Sequence, residues 1–430
     1  MAEMVRQRTI FARAMLHRPP SAASGKSVMS RTSKTRQDST MFELLKDQPP
    51  DALLQLIKLH REDPRADKVD LGVGVYRDET GATPVMAAIK AAERHLLETQ
   101  PSKSYLGPEG DARFVELLRP FIVGAADRYG DRLRGLQTPG GSGALRLGAE
   151  LAHAARPGTA IWVGTPTWPN HAPVLAAAGL TVKTYRYFDI ASQTLLFDEM
   201  VAALSAAPAG DLVLLHGACH NPTGADLDIE QWRTIARLVA ERGLVPFVDF
   251  AYQGLGLGLE EDARGLRLVL ESVPEALLSY SCDKNFGLYR DRTGALYVLA
   301  GDAAGTRTAQ ANAEAHARVN WSMPPDHGAA LVRIILDTPE LTASWRAELT
   351  GMMQRINAMR SGLAAAAPSF AAIAGQRGLF SNLPLSGEAI DRLRSEHGIY
   401  MARSGRINLA GLQTKDIGKV AAAFEAARGR

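Results

Sequence analysis

From residue 41 onward the apolar residues gather in short runs, separated by stretches with helical spacing. The runs AIWVG (160–164), DLVLLHG (211–217), LVPFVDF (244–250), ALLSYS (276–281) and ALYVLAG (295–301) are continuous rather than alternating, as expected of strands covered on both faces. Between them, DIEQWRTIARLVAERG (228–243) has the helical period, with Asp228 and Gln231 spaced for a capping box and Gly243 placed to stop the helix. Strand, helix, strand in this order implies right-handed crossovers and an α/β fold with a mostly parallel central sheet. In such sheets the ligand site lies beyond the carboxyl ends of the strands. That rule predicts that residues 165–171, 218–224, 249–252 and 281–284 converge.

The pattern changes towards the C-terminus. LTASWRAELTGMMQRINAMRSGLAAAA (341–367) predicts one long amphipathic helix, followed by LFSNLPL (379–385), a helix at EAIDRLRSEHG (388–398) and a strand at RINLAG (406–411). We expect a large domain over 83–349 and a smaller α/β domain assembled from 41–82 and 350–430. A chain of 430 residues, 46% hydrophobic, supports more than one core.

Charge adds an asymmetry. The formal net charge is +3, but residues 1–40 carry eight Lys/Arg against two Asp/Glu, leaving 41 against 44 in the rest. The globular part therefore offers no broad basic face for nucleic acid. Residues 1–40 are Arg- and Ser-rich with no long apolar core, which fits an organellar transit peptide, a disordered tail or a non-native extension ahead of a start at Met41. Two cysteines, Cys219 and Cys282, are too few for a disulfide framework and suit a reducing, cytoplasmic compartment. The longest charge-free stretch, 157–182, contains Pro157, Pro166, Pro169 and Pro173, which argues against a membrane-spanning helix.

At the predicted strand ends lie the residues that can do chemistry. GGSGALRLGAEL (140–151) reads as a Gly-rich turn entering a helix, a place where free N–H groups can accept a phosphate, although a plain tight turn has the same signature. Asp249 ends an apolar run, so its carboxylate needs a partner: it either caps the next turn or holds a protonated pyridine nitrogen. In HGACHNPTG (216–224), His216 and His220 are four apart, but no third ligand accompanies them and a metal is not expected. Lys284, in SYSCDKNFGLY (279–289), follows Ser281 by three, which is also the spacing of a β-lactamase-type nucleophile; the companion Ser-Asp-Asn and Lys-Thr-Gly motifs are missing. A lysine that can lose its proton is otherwise suited to forming an imine.

Taken in order, LGVGVYRDETG (71–81), YLGPEG (105–110), GGSGALRLGAE (140–150), PTWPNH (166–171), HNPTG (220–224), DFAYQG (249–254), SCDKNFGLYRDR (281–292), RVNWSMPP (318–325) and SGRINLAG (404–411) resemble the class I aminotransferases of the aspartate and aromatic amino acid group. The resemblance spans essentially all of 41–430. It implies a fold-type I pyridoxal-phosphate-dependent transferase, and a homodimer with shared active sites. The implied reaction is a ping-pong transfer of the amino group of tyrosine, phenylalanine or aspartate to 2-oxoglutarate. A strict aspartate aminotransferase, or another reaction of the same cofactor, is the alternative.

Residue by residue, the resemblance makes Lys284 the lysine that holds pyridoxal 5'-phosphate as an imine and later carries the substrate's proton. Asp249 would face the ring nitrogen, Tyr252 and Asn221 the phenolic oxygen, and Trp168 the ring face. Gly141, Ser142, Ser281, Arg292 and the partner's Tyr105 would hold the phosphate. Arg406 would clamp the α-carboxylate, with Gly74 and Asn221 beside it, and Arg318, reaching in from the partner, would meet a side-chain carboxylate. His171 would stand behind Asp249, and Phe380 would line the small-domain side. No residue is assigned to a metal. Four positions depart from the family pattern: Asp283 replaces a small or hydroxyl residue, Gly140 a serine of some members, and Trp321 and Met323 a more polar pair. The last two suggest an apolar pocket wall that admits aromatic side chains. Asp283 either acts on the neighbouring lysine or points into solvent.

Overall fold

The computed structural model describes residues 41–47 and 52–428, so the extension expected over 1–40 lies outside the described residues. The described residues 52–428 belong to one compact unit. Its centre is a seven-stranded sheet: β1 (Leu133–Pro139), β2 (Ala160–Thr165), β3 (Thr181–Arg186), β4 (Leu212–His216), β5 (Val245–Phe250), β6 (Ala276–Ser281) and β7 (Thr293–Leu299), in the order β1-β7-β6-β5-β4-β2-β3. The pairs from β3 to β6 are parallel, whereas β7 runs antiparallel to both β6 and β1.

The five apolar runs are strands in this sheet, the last beginning two residues earlier than its apolar pattern suggests. Two strands were not expected, β1 and β3, and both are edges. Only one of the six residues of β3 is buried, so packing never demanded an apolar run there. The reversal of β7 also has a local cause. Residues 282–292 between β6 and β7 contain no helix, and a parallel return needs a longer crossover.

Alternation along β4 divides the core. Leu212 and Leu214 belong to one buried cluster, Val213 and Leu215 to another, so the two clusters occupy opposite faces of the sheet. The helix Ile229–Arg242 covers part of one face. Asp228 and Gln231 form the expected capping box, and Gly243 ends the helix in the left-handed region at φ 63°. A third buried cluster draws only on residues 69–71 and 359–427. Within that stretch, Val69–Asp70 pairs with Ile399–Tyr400, and Phe380–Asn382 pairs with Arg406–Asn408. The long helix Pro339–Ala366 leads into it.

Among the described residues no helix is long and apolar enough to cross a membrane. Cys219 and Cys282 are both free and buried.

Candidate active site

Sheet register assembles the first part of the site. His216 of β4 pairs with Asp249 of β5, and Asp249 pairs with Ser279 of β6, so the carboxyl ends of three parallel strands lie level. The loops that follow them, with the start of the helix Gly140–Ala155, enclose a cavity of about 250 Å³. We call this strand-end side the floor. The opposite side, the rim, carries Gly74, Phe380 and Arg406 from the paired short strands and the segment after Asp70.

Ten of the thirteen residues expected to act in catalysis or to bind cofactor or substrate line this one cavity, Gly74, Gly141, Ser142, Trp168, Asn221, Asp249, Tyr252, Ser281, Lys284 and Arg406, and Phe380 lines it as well. Arg292 does not line it but reaches it through Asp283. Tyr105 and Arg318 lie elsewhere on this chain. Tyr105 is 94% exposed, and the exposed Arg318 donates to Ser322 Oγ at 2.5 Å. Trp321 and Met323 are also outside the cavity lining, so the apolar wall expected from them is not formed by the same chain.

Asp249 is buried and tied down from behind. His171 Nε2 lies 3.0 Å from Asp249 Oδ2, and His171 Nδ1 lies 2.7 Å from Thr167 Oγ1. Burial pushes this carboxyl up. The hydrogen bond from His171, with the nearby positive charge of His171 and Lys284, outweighs burial and leaves it below its ordinary range. Trp168 meets His171 edge-on, with ring centroids 5.3 Å apart.

A file of imidazoles extends behind Asp249: His171 to His216 at 5.1 Å and His216 to His220 at 4.0 Å, with His220 stacked on Tyr187 at 4.4 Å. Burial and the neighbouring His171 pull His216 down to about 3. His171, His216 and Asp249 bring one ligand atom each within 4.8 Å of the others, a different grouping from the His216 and His220 pair of the sequence. That grouping is closed by the hydrogen bond between His171 and Asp249, and His220 is not part of it.

Asn221 joins floor to rim. Its Nδ2 donates to Tyr252 Oη at 3.3 Å, and its Oδ1 accepts from Arg406 Nη1 at 3.4 Å. A hydroxyl that accepts from Asn221 keeps its own proton free to donate into the cavity. Burial raises the Tyr252 phenol further, so it stays protonated. Lys284 Nζ stands 5.2 Å from the centre of the Tyr252 ring, with its side chain 19% exposed. The lysine is thus not the solvated turn residue that a lysine at a loop usually is.

At the end of the cavity beside the helix Gly140–Ala155, Gly141 lets the helix start approach β6. A Cβ on Gly141 would come within 3.1 Å of Ser281 Cβ. The helix start, Ser142 and Ser281 thus offer backbone and hydroxyl donors on one side of the cavity. Asp283 corrects one expectation: it does not point into solvent, being 4% exposed and paired with Arg292.

The sequence reading missed the apolar walls, Leu53, Val73, Val75, Leu145 and Ala251, and the Thr167 hydroxyl behind His171. Val73 and Val75 flank Gly74 in LGVGVYRDETG, so the alternation around that glycine carried a usable signal.

Comparison with known proteins agrees with the geometry. Residues 66–424 match the family described as aminotransferase class I and II. The tyrosine aminotransferase of Rhizobium meliloti (strain 1021) is 54% identical over 388 residues, covering 89% of this chain and 99% of that protein. The aspartate aminotransferase of Escherichia coli (strain K12) is 44% identical over 380 residues, covering 86% and 96%. Among solved structures, an aromatic-amino-acid aminotransferase from Burkholderia pseudomallei, described as covalently bound to pyridoxal phosphate, superposes with a TM-score of 0.88 at 37% identity, covering 90% of this chain and 100% of that one. The chain belongs to the class I and II aminotransferases.

Proposed function

We propose that this aminotransferase takes the amino group of an aromatic amino acid or aspartate and passes it to 2-oxoglutarate, in a cavity that holds pyridoxal 5'-phosphate. The observation that carries the reading is the donor set on one cavity: an ionised carboxylate, an amine, a phenol and an anion-binding helix start. The names of the relatives, tyrosine and aspartate aminotransferases, support the substrate class. The cofactor would supply an aldehyde to capture the amino group and a ring to take up electrons.

Each side chain has a derivable task. Asp249, kept ionised by His171, would hold the pyridine nitrogen protonated. Tyr252 and Asn221 would donate to the phenolic oxygen, and Trp168 would cover one ring face. Ser142, Ser281 and the N–H groups at the start of Gly140–Ala155 would bind the phosphate, joined by Arg292. Arg406 would take the α-carboxylate, for which a planar two-pronged donor is apt. Lys284, released by the incoming amine, would move the proton at the substrate α-carbon.

Tyr105 and Arg318 find no place in the cavity of their own chain. Their exposure supports a homodimer in which each would reach the partner's cavity, bringing Trp321 and Met323 with Arg318. We read the cluster drawn from 69–71 and 359–427 as the core of a small domain, with 83–349 as the large one. Two free buried cysteines fit a reducing, cytoplasmic setting.

The test compares the purified protein with Lys284→Ala, both supplied with pyridoxal phosphate. Wild type should show a visible absorbance band that bleaches on adding tyrosine, phenylalanine or aspartate, and should turn over each with 2-oxoglutarate. Lys284→Ala should lose about four orders of magnitude in turnover, the upper end for a positioned proton-transfer group. Turnover of aspartate alone would leave the strict aspartate enzyme, and no chromophore in wild type would sink the reading.

A further inference from the structure

Asp283 has no task in the reaction as read above, yet it is one of the most enclosed charges at the cavity. Its Oδ2 lies 2.6 Å from Arg292 Nη1 and 3.7 Å from Lys284 Nζ, and its Oδ1 is buried with no hydrogen-bond partner among the described residues. Its backbone N–H donates to Ser281 Oγ at 3.2 Å, which fixes the carboxylate relative to the end of β6. Arg292, in contrast, has a side chain that is 41% exposed. Left alone, such a side chain would sample many rotamers.

Three features hold it in one place. Nη1 donates both to Asp283 and to the carbonyl of Tyr289, the latter at 3.2 Å. The backbone of Arg292 sits in the left-handed region at φ 53°, a conformation that a non-glycine residue keeps only where its surroundings impose it. The opposite edge of the guanidinium lies against Gly140: a Cβ there would come within 2.6 Å of Arg292 Nη2, and Gly140 itself has φ +68°. Gly140 begins the helix whose first-turn residues Gly141 and Ser142 line the cavity. One edge of the fork is therefore anchored, and the other is presented across the helix start. The same contact explains why a glycine stands at position 140: a side chain would displace the guanidinium.

We propose that Asp283 is a positioning residue, which orients Arg292 so that its free edge meets a phosphate ester at the Gly140–Ser142 helix start. The proposal rests on the reading that this side of the cavity binds the cofactor's phosphate. Pre-ordering a flexible cation removes an entropy cost from binding. A carboxylate near an anion site works in the other direction, by repulsion. Here two cations, Arg292 and Lys284, face the single Asp283 carboxylate, so its charge is already compensated and orientation outweighs repulsion.

The experiment measures binding of inorganic phosphate and of pyridoxal phosphate to the full-length protein freed of cofactor, by calorimetry. Asp283→Ala should weaken both by about tenfold, and Asp283→Asn, which keeps an acceptor oxygen in the same place, by about threefold. In an Arg292→Ala background, Asp283→Ala should change the binding of inorganic phosphate by no more than about twofold, because the aspartate reaches the phosphate site through the arginine. Unchanged or tighter binding by Asp283→Ala, or equal weakening in both backgrounds, overturns the proposal. Asp283→Asn carries the comparison if the alanine variant does not fold. Equal phosphate binding by wild type and Arg292→Ala would instead overturn the phosphate reading itself, and the two failures are thereby told apart.

Discussion

At the floor of the cavity, Asp249 has a partner 3.0 Å away that is itself hydrogen-bonded to Thr167. Arg406 at the rim reaches its partners only at 3.4 Å (Asn221 Oδ1) and 3.2 Å (the Gly72 carbonyl), has no partner for Nε, and lies with its guanidinium 4.5 Å from the centre of the Phe380 ring. Burial lowers the arginine's hold on its proton, with Tyr252 only partly restoring it. The floor is therefore compensated by the protein itself, whereas the rim carries a cation that is under-compensated among the described residues. Architecture explains the contrast. The floor grows from the level ends of neighbouring strands in a seven-stranded sheet, and the rim from two paired strands of three residues each. A self-compensated charge is set before ligand arrives, and an under-compensated one is completed by the ligand.

Variants of the two ends should separate these roles. Asp249→Asn removes the floor's fixed charge, and kcat should fall by about a thousandfold for every amino donor, as when a preorganised electrostatic group is lost. A fall confined to KM would mean that Asp249 only helps binding. Arg406→Lys keeps the charge but loses the paired prongs, so kcat/KM should fall by about a hundredfold, the loss appearing largely in KM. If kcat fell for that variant as it does for Asp249→Asn, the division between floor and rim would not hold.

The smallest effect is on stability. His216 is held neutral down to about pH 3 in the folded chain, while an unfolded histidine takes a proton near 6.5. Between those values the unfolded chain binds the extra proton, so this contribution to stability is present above pH 6.5 and is lost as pH falls towards 3. The slope is about 1.4 kcal/mol per pH unit. His216→Asn should flatten the dependence by that amount, read by urea unfolding at a series of pH values. An unchanged slope would show that the floor does not keep this imidazole neutral.

Much of this was legible in the chain itself. Strands β2 and β4 to β7 announced themselves as apolar runs because both faces are covered, and Asp228, Gln231 and Gly243 marked their helix by cap chemistry. The edge strands did not: only one of the six residues of β3 is buried, and β1 buries the polar Gln137 and Thr138, which break any apolar run. Lys284, Asp249, Tyr252, Asn221 and Arg406 were found by motif. Their neighbours Thr167, Val73 and Leu145 were not, because a hydroxyl or an aliphatic side chain has no local pattern that separates a site from a core.

The residue types and their order determined the α/β fold, the strand-end location of the site and the identity of its charged groups, since periodicity, caps and turn chemistry act over a few residues. Tertiary structure alone decided what each charge faces. Asp283 turned inward to Arg292 rather than outward to water, His171 and His216 came to stand behind Asp249, and Tyr105 and Arg318 fell outside their own chain's cavity. Those outcomes depend on strand register and on loops far apart in sequence meeting in space, which a reading along the chain does not contain.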